Sequence, residues 1–532
     1  MTTYRVYIRR PFTKPPIWDW TQTVVAPNAA KAIEYAYDDW VKSNPRPPAP
    51  PLNQCTTQAN PYSLTVSAND DQNSMETEAQ KEYMEVIQKK VRDILGSKLD
   101  GTFDSINYPS GFNYGITYGS NAYYNIATLK DIDSLLGTAS NGLLELTGGS
   151  FSGFYARLLQ SVVFGFSDAD NKEMADQDAA ADGQVASVIK EFENAGGIFT
   201  NPLPFGGKLQ DIFNQLTDEF GSLESLPDSL SALRNAIADY KAKADASYKL
   251  HAKYYSATAY LNAAINNVIT PTAANGGMQV SANSYYVGYS PEKLPTVNQL
   301  IGGLQTDANK IEIDITLSDV TSSDAQLSIS GNVKIPIPLA DVLNIDIKGS
   351  GSYNASKYLS SSSQVTISTV YQGITLFPAV PSSLSANNQT GWYALDILNQ
   401  VVEKTGLDAT GYQFNGEEFD VKEIFGVGKT FSRLKTFVIS QDPIVEMTFT
   451  NAEVLQIISD LKVGASVDVS LFGFFKLGSA QAGYSIKKVD DKSKAGSVIV
   501  TFGPPKVSGT IPLEQQKAYV LGGVASYPPK NI

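Results

Sequence analysis

The chain has 532 residues, and its 41 Lys and Arg against 54 Asp and Glu give a formal net charge of −13. Nucleic acid is therefore not expected as a partner: phosphate binding draws on clustered Lys and Arg, and the eight Arg are scattered from Arg5 to Arg433. One His, His251, and one Cys, Cys55, exclude a disulfide framework, a zinc site of the usual His/Cys count, an HExxH metalloprotease and most His-based triads.

Charged residues make up 18%, with Ser, Thr, Asn and Tyr in their place, and Tyr (28) outnumbers Phe (23), which suits half-buried strands and binding faces. At about 150 residues per domain, three or four domains are expected. The opening residues carry Arg5, Arg9 and Arg10 and no apolar core, so a secretory signal is not expected. No run reaches the ~18 apolar residues of a membrane-spanning helix. The protein is thus expected to be made in the cytosol, with lysis or a dedicated machine as its route out; the sequons at Asn354 and Asn388 matter only on such a route.

In chain order, residues 1–44 read as a small ββα unit. Tyr4, Val6 and Ile8 alternate with polar residues, Thr21 to Val25 form a second strand, and Ile33, Tyr37 and Trp40 mark a helix from Ala29 to Val41 with Asn28 as its cap. The run Pro45 to Pro51 lacks backbone donors and fixes φ, so residues 45–75 are expected as a stiff linker, with an SH3-type ligand as the sharper alternative. From Glu76 to Leu95, Met84, Ile87, Val91 and Ile94 recur at helical spacing, and Gly96 stops the helix. Phe112, Tyr114, Ile116 and Tyr118 then share one face of a strand; with Tyr123 the rings are a candidate sugar- or peptide-binding face, against the plainer reading of a sheet packed on helices.

The strongest periodic signal runs from Leu230 to Val268, stepping three and four without a slip, and predicts one long helix. Its middle, Ala244, Ser247, His251 and Thr258, is small or polar, whereas Leu and Ile occupy both ends. Candidate partners along it are Glu76 to Leu95, Gln184 to Glu193 and Lys208 to Phe220, and His251 is expected as a packed histidine bonded by a Tyr or Asp.

After Pro271 the period changes to two. Lys310 to Leu317, Gln326 to Ile329, Val333 to Leu339, Ile345 to Ile347 and Val365 to Leu376 read as antiparallel strands of a β module at 271–385, with Pro336 and Pro338 at an edge. A helix from Trp392 to Lys404 opens a Gly-rich connection at 386–440, and a second β module at 441–532 holds strands at Val445 to Phe449, Ser466 to Phe475, Tyr484 to Val489 and Ser497 to Phe502. Shifting Thr316 onto Thr448, 132 residues on, lays Ile335 to Leu339 over Val467 to Leu471, the pattern of a duplicated module or of any two antiparallel sheets. The fold class is therefore α+β multidomain: a ββα unit, a helical region at 76–270 with a Tyr-rich strand segment, and two antiparallel β modules.

Chemical motifs mostly fail. Gly428-Lys429-Thr430 ends like a phosphate loop, but Glu423 stands where the first glycine belongs. Gly349-Ser350-Gly351 lacks the context of a dinucleotide site, and Asp178 to Gly183 puts Ala180 and Ile189 where a calcium loop needs oxygen ligands. The 54 acids offer many possible glycosidase-type carboxylate pairs, of which Glu417, Glu418 and Asp420, near Tyr412 and Phe414, are the least unsuitable cluster, the plainer reading being a solvated turn. No catalytic residue, metal or cofactor is assigned. Three functions are expected: a non-catalytic protein acting by binding, assembly or membrane insertion, with the layout of pore-forming toxins as an analogy; a carbohydrate-binding or carbohydrate-active protein; or a self-assembling structural protein. The corresponding partners are membrane lipid, a glycan or a second copy.

Overall fold

The computed structural model describes residues 2–9, 20–26, 29–42, 56–61, 72–107, 111–114, 126–138, 143–199, 204–306, 308–321, 324–331, 334–338, 343–347, 351–354, 359, 361–385, 390–416, 418–461, 463–471, 475–477, 484–492, 496–504 and 517–529. The fold is mixed α+β. A small sheet pairs Thr2–Arg9 with Trp20–Ala26 and, on its other side, with Thr56–Pro61. That third strand falls within the expected linker, so the first unit is ββαβ and the Pro-rich run lies inside it. The sequence hid it because TTQANP carries no apolar alternation.

The largest sheet runs, in spatial order, Ile335–Pro338, Asp324–Ile329, Lys310–Ser318, Gln364–Gln372, Ile444–Thr450, Ser497–Gly503, Tyr484–Lys492, Ser466–Leu471, Leu343–Ile347 and Gly351–Asn354, with Phe475–Leu477 added to Ser466–Leu471. The two expected β modules are thus one continuous antiparallel sheet. Its connectivity forces a curl. Only four residues join Pro338, in the first strand, to Leu343, in the ninth. Five Cα steps reach at most about 19 Å, whereas eight strand-to-strand steps across a flat sheet need about 38 Å. The sheet therefore bends until its two ends approach, with the apolar face inward. Ile311, Ile313, Ile315 and Leu317 at one part and Ile345 and Val467 at another all belong to one core with Tyr83, Ile87 and Val91 of helix Gln72–Leu95.

Under the 132-residue shift, the antiparallel pair Lys310–Ser318 and Gln364–Gln372 falls on the pair Ile444–Thr450 and Ser497–Gly503. Strand Asp324–Ile329, however, falls on helix Val454–Asp460, so the modules differ in that element.

A second sheet runs Thr375–Pro378, Arg433–Ser440, Lys517–Ser526, Phe103–Asn107, Leu144–Ser150 and Ser134–Thr138, drawing strands from the region expected to be mainly helical. The expected strand Val365 to Leu376 is broken at Gly373, where the chain turns from one sheet into the other. Gly373 has φ +64°, and a Cβ there would collide with the Leu304 carbonyl oxygen, so the corner requires glycine. This sheet packs on helix Phe151–Gln160, helix Leu395–Lys404 and the end of the long helix around a second core. Trp392, expected within the helix at 395–404, precedes it; its buried indole N–H donates to the Gly288 carbonyl at 2.6 Å.

Candidate functional site

Helix Ser231–Ile269 has 39 residues and so spans about 58 Å. It is buried only at its ends. Leu233, Ala236 and Ile237 join Val188, Phe192 and Ile212 in a small tip core with helices Asp168–Asn194 and Phe205–Phe220, while Leu261, Ala264 and Val268 enter the core of the second sheet. Of the partners expected along it, Glu76 to Leu95 is elsewhere, against the curled sheet. The two long helices thus form an arm anchored on the body at one end and on its own tip at the other.

At the arm's base, Ser167 caps Asp168–Asn194 by accepting from the Asp170 amide, and Asp168 and Asp170 place negative charge at the positive end of the helix dipole. The Ser167 amide donates to Thr410 Oγ1 and the Asp168 amide to Asp408 Oδ1, both at 2.9 Å, and the Tyr412 hydroxyl donates to the Ala257 carbonyl at 2.9 Å. Midway along the arm, Ser247 Oγ donates to Asp178 at 2.5 Å, and His251 Nε2 lies 3.1 Å from both Asp178 oxygens. The Ser247 hydrogen bond, then His251, hold the Asp178 carboxyl below its ordinary pKa. The calcium-loop residues 178–183 are helical here. Beside this waist Tyr248 and Tyr255 are 69% and 66% exposed, and Tyr254, 40% exposed, meets the rings of Tyr255, Phe164 and Phe166.

A second feature is a cleft of about 810 Å³ between helix Gln72–Leu95 and strand Phe103–Asn107, bounded also by the end of Lys517–Ser526. Its apolar wall includes Met84, Leu143 and Val524; its polar groups include Asp104, Ser105 and Tyr527. Burial raises the pKa of Asp104, opposed by the charge of Arg92, and burial with the Asp104 charge raises that of Tyr527.

A third polar cluster surrounds the fully buried Asp133. Asp133 accepts from Ser150 Oγ and Ser152 Oγ, each at 2.7 Å, from the Ser152 amide at 2.9 Å and from the Tyr286 hydroxyl at 3.0 Å. Burial outweighs these bonds and raises its pKa. Because Ser150 is the N-cap of helix Phe151–Gln160, Asp133 fixes that helix to the sheet.

Of the aromatic candidates, Phe112 is fully buried, its ring 4.8 Å from that of Phe377 and 5.3 Å from that of Phe437. Tyr114 is also buried, its pKa raised by burial and by the charge of Asp442. Tyr118, Tyr123 and Glu417 lie outside the described residues. Asp420 caps the short helix Val421–Ile424, accepting from the Lys422 amide at 2.9 Å, and Glu418 precedes it. Neither borders the cleft or the arm's waist. Gly426 and Gly428 have positive φ in a turn where Lys429 pairs with Glu423 at 3.7 Å. Among the described residues, no group of three or more His, Cys, Asp or Glu is placed to hold a metal ion.

The exposed tyrosines and the cleft were not singled out from sequence. The heptad run gave the signal for the former, since Tyr248 and Tyr255 lie off its apolar stripe and seven residues apart. The cleft joins segments more than 400 residues apart and leaves no local pattern. Compared with family models, curated proteins and solved structures, the chain has no significant match in any of the three.

Proposed function

We propose that this is a non-catalytic binding protein whose contact element is the helical arm. The observation that carries this reading is the middle of the long helix, packed on helix Asp168–Asn194 along one side and open on the other, where Tyr248 and Tyr255 stand exposed two turns apart on one face. A helix serving only as a strut has no use for rings in solvent, whereas tyrosine gives a binding face a large apolar area, a hydroxyl and little side-chain entropy to lose. Glycan recognition is the second reading, favoured by the three exposed tyrosines beside the Asp178 carboxylate and the Ser247 hydroxyl. Membrane contact is a third reading, with the arm as the element that would make it; among the described residues no helix is long and apolar enough to cross a bilayer.

The test applies the full chain and its Tyr248→Ser/Tyr255→Ser variant to a glycan panel, to sedimentation velocity over a wide concentration range, and to neutral and anionic vesicles. Binding by the wild type in one of these, weakened about tenfold or more in the variant at ~1.4 kcal/mol per factor of ten, supports the arm. An inert wild type, or a variant that binds as well as the wild type, overturns it.

A further inference from the structure

We propose that the cleft between helix Gln72–Leu95 and strand Phe103–Asn107 binds a small organic amine, an ammonium group carried on an apolar body. This is independent of the arm. The cleft, at about 810 Å³, is of the size that encloses small organic ligands, typically ~300–1,000 Å³.

Two of its polar groups are left without partners. Ser105 is 4% exposed and its Oγ makes no hydrogen bond. Strand alternation puts Ser105 on the same face as Phe103, which packs in the core of helix Gln72–Leu95, and Asp104 on the opposite face, so the two border the cleft from different sides of the strand. Native structures rarely leave such a group unsatisfied, because its hydration is lost with nothing in return. The Asp104 carboxylate, half-buried, has no hydrogen bond or ion pair among the described residues; the distant charge of Arg92 is the only favourable influence on it.

The charges lining the cleft select the ligand's sign. Lys435, whose side chain is 23% exposed, is paired with the surface Asp100 at 3.0 Å, and Lys81 and Glu85 are both exposed at the rim. Asp104 remains as the half-buried charge without an ion pair among the described residues. An ammonium ion would give Asp104 the charged donor it lacks, and an apolar body would cover Met84, Leu143 and Val524.

The probes are hexylamine, hexanol and hexanoate, titrated calorimetrically into the full chain. Hexylamine is expected to bind most tightly and hexanoate not at all. In Asp104→Asn, hexylamine affinity should fall tenfold or more to the level of hexanol; Ser105→Ala should keep the preference for the amine. Failure of all three probes to bind, hexanoate binding as tightly as hexylamine, or undiminished amine binding in Asp104→Asn would overturn the proposal. Asp104 is half-exposed, so Asp104→Asn should fold; should it not, loss of the amine preference in Ser105→Ala would count against the proposal.

Discussion

Replacing Asp133 by alanine removes the acceptor for four donors at 2.7 to 3.0 Å: Ser150 Oγ, Ser152 Oγ, the Ser152 amide and the Tyr286 hydroxyl. The two serine hydroxyls, 3.1 Å apart, can bond to each other, but the Ser152 amide and the Tyr286 hydroxyl cannot follow. With the second serine hydroxyl, which that bond leaves without an acceptor, three donors are stranded; at ~1–3 kcal/mol each, less the cost of burying a carboxylate, they leave a net loss of about 3–5 kcal/mol, a large part of an ordinary domain's ~5–15 kcal/mol. Urea unfolding monitored by fluorescence would show the midpoint fall. The pH dependence follows from the raised pKa of Asp133. The folded state holds its proton more tightly than the unfolded state, so the contribution is complete below the ordinary Asp value of about 3.9 and is lost as pH rises through the higher folded value. The stability of the wild type relative to Asp133→Asn should therefore decline from acid to neutral pH. An Asp133→Ala protein within ~1 kcal/mol of wild type, or a difference that grows with pH, would refute this account of the cluster.

Two further substitutions probe the frame. Gly373→Ala should lower stability by more than ~2 kcal/mol, since the left-handed φ alone costs a Cβ ~1–2 kcal/mol and the Leu304 carbonyl blocks the site; a calorimetric melting temperature unchanged from wild type would contradict the tight corner between the sheets. Leu233→Ala, at a buried position of the tip core, should cost ~2–5 kcal/mol locally. Limited proteolysis should then cut faster at residues 195–230 while the body stays intact, and equal loss of both would mean that the tip has no core of its own.

Where contacts follow from spacing, the sequence was legible. The heptad steps from Leu230 to Val268 became helix Ser231–Ile269, and the alternation from Lys310 to Leu317 became a strand whose Ile311, Ile313, Ile315 and Leu317 are buried. His251 does bond an Asp, though at a half-exposed position outside any core, and Asp178 lies 73 residues away in a helix whose Asp- and Ala-rich first half shows little apolar periodicity. The missing information is of that kind. Phe112 and Tyr114 read as a core face, with a binding face as the sharper alternative, and the rings of Phe377 and Phe437, brought in by other strands, place Phe112 in the core. Thr56–Pro61 is held by backbone pairing, and Ser105 has its significance from what does not reach it.

The central claim is that the long helix of the arm is open along one side between two separate apolar anchors. Hydrogen exchange of the full chain, resolved by peptide, tests it most directly. Amides near Ile237 and Ala264, where the helix is buried, should exchange slowly, and those at 241–256, held only by helical hydrogen bonds, faster by about tenfold or more. Uniformly slow exchange from Leu233 to Val268 would mean that the waist is covered, and the arm could not be the contact element.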